Sequence, residues 1–340
     1  MIDGHGDDGW KFAAAMRADF SSNVYYGSLD AGLRVHLRAV IDRVTHYPEA
    51  GALSLQVEAA AAYGVHRGSV LVTNGATEAI YLIAQAFRSM PVTIVGPTFA
   101  EYADACVIQG MEVRRVLWEE LLASAEVKGL VFICNPNNPT GKALAAEELA
   151  GLADRWPAAV FVVDESYIDF TVATGSVLGA RRPNMLVLRS LTKSCRIPGL
   201  RVGFLIGAEA VVARVAVFSM PWSVNRLAIE AGLFIFRHRE DFVVPVAALL
   251  AATAEWRREL AEATGWRVGN TDTHYFLIET PLAFTAAQLK LHLVSRYGLL
   301  VRDAANFKGL GPQHLRVACE GFEQNRLLTE ALRTCSRDGI

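Results

Sequence analysis

Short apolar runs rich in β-branched residues alternate with helical patterns over the first two thirds of the chain. Amphipathic stretches such as EAIYLIAQAF and AAEELAGLADRW lie between several of these runs. Strands that alternate with helices at this spacing are typical of βαβ units, whose parallel sheet is covered on both faces. The sequence therefore predicts an α/β fold, with strands at residues 70–73, 92–95, 130–134, 160–164, 185–189 and 202–206.

The pattern changes after about residue 240. A long alanine-rich helical stretch, ALLAATAEWRRELAEAT, precedes shorter strands near HYFLIE, LLVR and LRVAC, and a last helix follows them. This order predicts a smaller α+β domain, onto which the N-terminal segment packs. We therefore expect a large domain at residues 45–240, and an N-terminal arm with a small C-terminal domain formed by residues 1–44 and 241–340.

Polar side chains follow the strands of the predicted parallel sheet. In an open parallel sheet, ligands bind outside the carboxyl ends of the strands. One edge of this sheet should therefore collect an acid, amides, hydroxyls, an aromatic ring and a lysine. The residues concerned are 74–77, 97–99, 135–141, 164–167 and 190–193.

Each of these polar residues also has a purely structural explanation. The turn TNGATEAIY leads into a helix expected to begin near Glu78, and its small residues suit either a tight turn or an anion at a helix N-terminus. Asp164 could cap a helix, and Arg201 could be an ion-pair partner. Their convergence with a lysine on one edge favours pyridoxal phosphate, which needs an amine, a carboxylate for its pyridine nitrogen and a phosphate-binding loop.

Four segments carry a family resemblance. PTFAEY, NPNNPTG, VVDESYIDF and SLTKSCRIPGLRVGF, spread over nearly the whole chain, resemble the class I/II aminotransferases of fold type I. The resemblance implies a pyridoxal-phosphate enzyme with a mostly parallel seven-stranded sheet in the large domain. It also implies that Lys193 is the Schiff-base lysine and proton shuttle, that Asp164 contacts the pyridine nitrogen, that Asn138 and Tyr167 contact the ring oxygen, and that Tyr102 stacks on the ring.

The same resemblance assigns the cofactor phosphate and parts of the substrate site. It implies that Arg316 binds the substrate carboxylate, that Asn23 belongs to a segment closing over the substrate, and that Tyr47 reaches the neighbouring subunit's phosphate site in a homodimer. The implied phosphate contacts are the amides of Gly75, Ala76 and Thr77 and the side chains of Ser190, Thr192 and Arg201.

Other segments narrow the resemblance to one branch. DFSSNV, HYPEAG and PGLR resemble the histidinol-phosphate aminotransferase branch, and within it the early His5-Gly6 pair, IPGLR, MPWSVN and LLVRDAANFKGL resemble threonine-phosphate decarboxylases. Either activity implies a substrate with a distal phosphate, for which Arg302 and His5 are the candidate contacts. In MPWSVN, Ser223 or Asn225 could instead cap a helix, and His5 could be an ordinary surface residue.

Decarboxylation of a phosphorylated amino acid is therefore the first functional hypothesis, and transamination of histidinol phosphate or a related amino acid is the alternative. A non-catalytic pyridoxal-phosphate-binding regulator is a remote third. Such regulators carry an added N-terminal DNA-binding domain, and only some forty residues precede HYPEAG.

The composition excludes several other classes of function. A formal net charge of −2 gives no electrostatic reason to bind nucleic acid or an anionic membrane. No apolar run reaches the roughly 20 residues that span a bilayer, and acids stand where a signal peptide is basic. We expect a cytoplasmic protein without a metal site or a disulfide framework, because the five scattered cysteines form no CxxC pair. They are Cys106, Cys134, Cys195, Cys319 and Cys335.

Overall fold

The computed structural model describes residues 8–12, 16–281 and 283–340. Its strands are β1 (Ala18–Asp19), β2 (Val70–Thr73), β3 (Val92–Val95), β4 (Val113–Val116), β5 (Gly129–Cys134), β6 (Ala159–Asp164), β7 (Met185–Ser190), β8 (Gly203–Gly207), β9 (Arg267–Val268), β10 (Tyr275–Glu279), β11 (Leu299–Leu300), β12 (Arg302–Asp303) and β13 (His314–Ala318). Its α-helices are α1 (Ala31–Ala39), α2 (Leu53–Tyr63), α3 (Gly75–Ala86), α4 (Glu101–Ile108), α5 (Trp118–Leu122), α6 (Ala146–Arg155), α7 (Glu209–Ala216), α8 (Arg226–Arg237), α9 (Val246–Thr264), α10 (Ala286–Tyr297) and α11 (Phe322–Asp338).

A seven-stranded sheet in the order β2-β8-β7-β6-β5-β3-β4 forms the centre of the molecule. Only β8 runs antiparallel to its neighbours. Side chains of successive residues in β5 enter different cores, with Leu130 and Phe132 in one and Val131 and Ile133 in the other. Inner strands such as β5 and β6 are continuous apolar runs because helices cover both faces of the sheet. The predicted α/β class and the mostly parallel seven-stranded sheet are confirmed.

Two local predictions differ from the structure. Strand β4 is absent from the predicted strands because Arg114 and Arg115 interrupt its apolar pattern; it lies at the sheet edge, where both side chains are exposed. Helix α3 begins at Gly75, three residues before the expected start near Glu78. The Glu78 carboxylate accepts a hydrogen bond from the Asn74 amide, so the helix extends through the small residues of the turn.

The C-terminal third forms an antiparallel sheet in the order β12-β13-β10-β9, with α9, α10 and α11 around it. The run LLVR, expected as one strand, is divided at Val301 between β11 and β12, which belong to different sheets. Strand β1 of the N-terminal arm pairs in parallel with β11. Phe20 of the arm packs in the same core as Trp256 and Phe276, whereas Leu33 of α1 packs in a core of the large sheet. The division at residues 45 and 240 stays a prediction.

None of the helices among these residues combines the length and the apolar character needed to cross a membrane. All five cysteines are buried free thiols.

Candidate active site

A cavity of about 360 Å³ lies at the carboxyl ends of β2, β5, β6 and β7. It brings together most of the residues that the sequence analysis selects. Those that line it are Asn23, Ala76, Thr77, Tyr102, Asn138, Asp164, Tyr167, Ser190, Thr192, Lys193, Arg201 and Arg316.

Asp164 ends strand β6 at the buried base of the cavity, with 4 % of its surface exposed. Its Oδ1 accepts a hydrogen bond from the Ser166 amide at 2.9 Å, and its Oδ2 accepts one from the Tyr102 hydroxyl at 2.7 Å. Burial raises the pKa of Asp164, while these hydrogen bonds and the charge of Lys193 act in the opposite direction. A cationic group placed beside this carboxylate would therefore favour its ionised form.

Lys193 lies in the turn that follows β7, partly exposed in the cavity. Its backbone oxygen accepts hydrogen bonds from the amides of Tyr25 and Arg196, at 3.1 and 3.4 Å. The N-terminal arm is thereby attached directly to the turn that carries the lysine. Among the described residues, the only amine that lines the cavity is thus held between the arm and the large sheet.

The first turn of α3 and the turn after β7 form an anion-binding corner. Gly75 has φ +73°, and a Cβ there would lie 2.5 Å from Nη2 of Arg201, so this guanidinium packs directly over the start of the helix. The hydroxyls of Ser190 and Thr192 lie 2.7 Å apart beside it. Arg201 forms no ion pair among the described residues, and burial lowers its pKa. Helix amides, hydroxyls and a guanidinium that forms no ion pair among the described residues suit a phosphate.

Arg316 and Asn138 meet in the wall of the same cavity. Nη1 of Arg316 donates to Oδ1 of Asn138 at 2.5 Å, and Nη2 donates to the backbone oxygen of Ser21. The Nε of Arg316 is buried and has no hydrogen-bond partner among the described residues. Burial raises the pKa of Tyr167 to about 12, although Arg316 acts to lower it. The phenol of Tyr167 is therefore a neutral donor at physiological pH.

Tyr102 is fully buried and stacks on Phe132, with ring centroids 5.1 Å apart. Its hydroxyl is engaged by Asp164, and burial raises its pKa well above the ordinary value. The ring lines the cavity. Its stacking on a bound cofactor stays a prediction.

Three selected residues do not line the cavity. Gly75 lies behind Arg201. Arg302 is buried opposite Arg316 on the neighbouring strand. Tyr47 is 78 % exposed and packs on the ring of Trp222 at 5.0 Å.

Two other expectations concern His5 and Asn225. His5 lies outside the described residues. The helix-capping explanation for Asn225 agrees with the structure, because its Oδ1 accepts from the Ala228 amide at the start of α8.

Sequence reasoning missed several cavity residues. Cys134 is paired in register with Asp164, so the same strand-end argument could have found it; burial raises the pKa of its thiol to about 12. Phe99 and Ser22 lie within quoted motifs but received no role. His274 is buried behind the site, and burial lowers its pKa to about 3; no sequence pattern indicated it. Ser166, like Phe99, belongs to a segment expected at this edge but received no individual role; the other missed residues are Ser21, Ile80, Pro198 and Gly199.

These residues fit pyridoxal phosphate. The unpaired guanidinium over Gly75 suits a phosphate, the buried carboxylate of Asp164 suits a protonated ring nitrogen, and Lys193 supplies an amine in the same cavity. The unpartnered Nε of Arg316 leaves a donor for an anionic substrate.

Comparison with known proteins gives the same result. The model of the family "Aminotransferase class I and II" matches residues 18–332. The chain is 32 % identical over 338 residues to the threonine-phosphate decarboxylase of Salmonella typhimurium, covering 93 % of this chain and 90 % of that protein. It is 31 % identical to the histidinol-phosphate aminotransferase of Symbiobacterium thermophilum, covering 89 % and 86 %.

A solved structure agrees in fold as well as in sequence. The L-threonine-O-3-phosphate decarboxylase of Porphyromonas gingivalis superposes with a TM-score of 0.88 at 36 % identity, covering 93 % of this chain and 98 % of that one. Because the family model spans nearly the whole chain, the protein belongs to the class I and II aminotransferases, a family of pyridoxal-phosphate-dependent enzymes.

Proposed function

We propose that this protein is a pyridoxal-phosphate-dependent decarboxylase of a phosphorylated amino acid, with L-threonine O-3-phosphate as its substrate. The buried pair of Arg302 and Arg316 is the observation that carries the substrate assignment. The names of two similar proteins, from Salmonella typhimurium and Porphyromonas gingivalis, support it. The relative named histidinol-phosphate aminotransferase supports transamination as the second candidate.

Arg302 and Arg316 are directly opposite each other on the antiparallel strands β12 and β13, and each is 4 % exposed. Opposite residues on antiparallel strands have Cα atoms roughly 5 Å apart and side chains on the same face. Neither guanidinium forms an ion pair with an acid of the described residues. Two buried like charges are costly unless anions compensate them, so the pair is suited to a ligand with two anionic groups.

The two arginines suit the two anionic groups of threonine phosphate. In this compound the carboxylate and the phosphate ester are attached to adjacent carbons. Burial and the neighbouring Arg316 lower the pKa of Arg302 to about 10, so it is still cationic at neutral pH. Asn306 accepts from Nη2 of Arg302 at 2.7 Å and fixes its orientation.

The protein's own residues would hold the cofactor at both ends. The amides of Gly75, Ala76 and Thr77 with Ser190, Thr192 and Arg201 would bind its phosphate. Asp164 would hold the protonated ring nitrogen, and Asn138 and Tyr167 would donate to the ring oxygen. Pyridoxal phosphate, when bound, supplies an aldehyde that an amine can attack and a ring that accepts electrons from the bond being broken.

Lys193 would carry the cofactor at rest and move a proton at the substrate Cα during turnover. The two candidate reactions differ in which bond to that carbon lies perpendicular to the ring, since only that bond overlaps the π system. Arg316 and Arg302, by fixing the carboxylate and the phosphate, would set that orientation. The arm residue Asn23, buried beside Tyr167, would close the site above the substrate.

We expect the purified protein, loaded with pyridoxal phosphate, to release carbon dioxide from L-threonine O-3-phosphate without consuming 2-oxoglutarate. Unphosphorylated L-threonine should react at least about 10²-fold less efficiently in kcat/KM, because buried arginines left without an anion oppose binding. Carbon dioxide release and glutamate formation are to be measured in parallel.

The matched control is Arg302→Gln, which keeps a long polar side chain without the charge. It should lose most of the preference for the phosphorylated substrate. Glutamate formation from histidinol phosphate and 2-oxoglutarate, with no carbon dioxide from threonine phosphate, would establish the second candidate instead. A protein that binds no pyridoxal phosphate would exclude both candidate activities.

We also propose that the protein is a cytoplasmic homodimer. Tyr47 packs on Trp222, and both are at least half exposed, as is Met220 two residues before Trp222 in the chain; these exposed apolar side chains support a covered surface around Tyr47. Sedimentation equilibrium should give twice the chain mass of 37.0 kDa. A fully active monomer would contradict the shared-site role of Tyr47.

A further inference from the structure

Beneath the active site lies a polar chain that the proposed function does not use. Most of it is buried, and the side chain of Asp169 is 36 % exposed. It consists of Glu165, Arg189, Asp169 and Ser194, which we call the support chain. Nη1 of Arg189 contacts Oε2 of Glu165 at 3.3 Å, and its Nη2 donates to Oδ1 of Asp169 at 2.9 Å. The hydroxyl of Ser194 donates to the other oxygen of Asp169 at 2.8 Å.

Three members of the support chain are sequence neighbours of predicted site residues. Glu165 follows Asp164 and Arg189 precedes Ser190, so the alternation of side chains along an extended backbone sends each to the side away from the cavity. Ser194 follows Lys193. The support chain therefore joins, from behind, the three segments that present the carboxylate, the phosphate contact and the lysine.

The support chain is built for rigidity. The side chain of Glu165 is fully buried and that of Arg189 is 14 % exposed. Glu165 also accepts from the Ser176 hydroxyl at 2.5 Å and from the Val177 amide at 2.7 Å. Burial opposes the charge on Arg189, but Asp169 and Glu165 raise its pKa above the ordinary value. A buried, fully hydrogen-bonded ion pair of this kind holds one arrangement because a shifted partner would leave a charge uncompensated.

Ser194 connects the support chain to the turn that carries Lys193. The residue is 8 % exposed, and its hydroxyl forms the side-chain link between the turn and Asp169. The Lys193 turn is also held by backbone hydrogen bonds, including one to the N-terminal arm, and by the Arg196 guanidinium, which donates to the backbone oxygen of Tyr26. We infer that Ser194 and Asp169 are positioning residues that fix Lys193 relative to Asp164. This inference rests on the proposed cofactor role of those two residues.

Ser194→Ala tests the inference with little risk to folding, since it removes one hydroxyl and leaves every charge paired. We expect kcat for the substrate of the wild-type enzyme to fall about 10-fold with KM changed less than about twofold, because a small displacement of a reacting group costs rate rather than binding. Visible circular dichroism per bound cofactor, which reports the orientation of the chromophore, should fall to about half. Asp169→Asn should change both quantities in the same direction, and Ser194→Thr should restore most of the wild-type values.

Ser176→Ala is the matched control, since it removes a hydroxyl from the Glu165 end of the same support chain, far from the Lys193 turn. It should leave the visible dichroism and kcat within about twofold of wild type. The inference is overturned if Ser194→Ala keeps both wild-type values, or if Ser176→Ala loses as much as Ser194→Ala, which would mean general support of the fold. A wild-type protein without any visible cofactor signal would instead count against the proposed function.

Discussion

Replacing Lys193 by alanine is expected to lower kcat by at least about 10⁴-fold, the largest effect of any single substitution in this protein. Lys193 supplies the only amine that lines the cavity, so no other described side chain there can hold the cofactor or move the proton. The visible absorbance of the lysine-bound cofactor should disappear, while the far-ultraviolet circular dichroism stays unchanged. The side chain is partly exposed, so its loss leaves no buried void, and Tm should change by a few degrees at most.

Lys142→Ala is the matched control for this prediction. Lys142 is about half exposed and belongs to the segment after NPNNPTG, outside the cavity. Its loss should leave kcat and the visible spectrum within experimental error of wild type. Full activity of Lys193→Ala would refute the assignment of the site.

Asp164→Asn should lower kcat by about 10³-fold while the cofactor is still bound. The substitution keeps the size of the side chain, but a neutral amide cannot stabilise a protonated ring nitrogen as a carboxylate can. Burial raises the pKa of Asp164, so a cationic partner would favour its ionised form; the asparagine removes that mutual stabilisation. Cofactor affinity and kcat are to be measured separately, since the residues proposed to bind the phosphate are intact.

Tyr102→Phe separates the carboxylate from its hydrogen-bond donor. It removes only the hydroxyl that donates to Asp164 at 2.7 Å and keeps the buried ring. We expect a loss of kcat of about 10-fold or less, because one neutral donor is worth roughly 1 kcal/mol. An equal loss in Tyr102→Phe and Asp164→Asn would contradict the proposed role of the charge.

Much of the sheet and of the site could be predicted from local patterns. The strands that face helices on both sides are continuous apolar runs, as in β5 and β6, and such runs are visible without a structure. Parallel strands end at the same edge of the sheet, so the sequence alone predicts that Asn138, Asp164 and Lys193 lie close together. Strand β4 was missed because an edge strand exposes its side chains and needs no apolar pattern.

Long-range pairing was not predictable in the same way. The connection between Arg302 and Arg316 has no helix or strand pattern of its own, and only the register of β12 on β13 makes the two residues neighbours. The contact of Ser194 with Asp169 and the burial of His274 likewise depend on how distant segments pack. No local periodicity encodes these contacts, since they follow from tertiary geometry.

The sequence by itself therefore determined the fold class, the family and the cofactor-binding motifs, because each depends on residues close together in the chain or on the shared edge of parallel strands. The tertiary structure decided which charges are buried side by side, which hydroxyl next to the lysine contacts Asp169, and which aromatic residue donates a hydrogen bond to Asp164. The physical reason is that hydrogen bonds and ion pairs act over a few ångströms, and only the folded chain sets those distances.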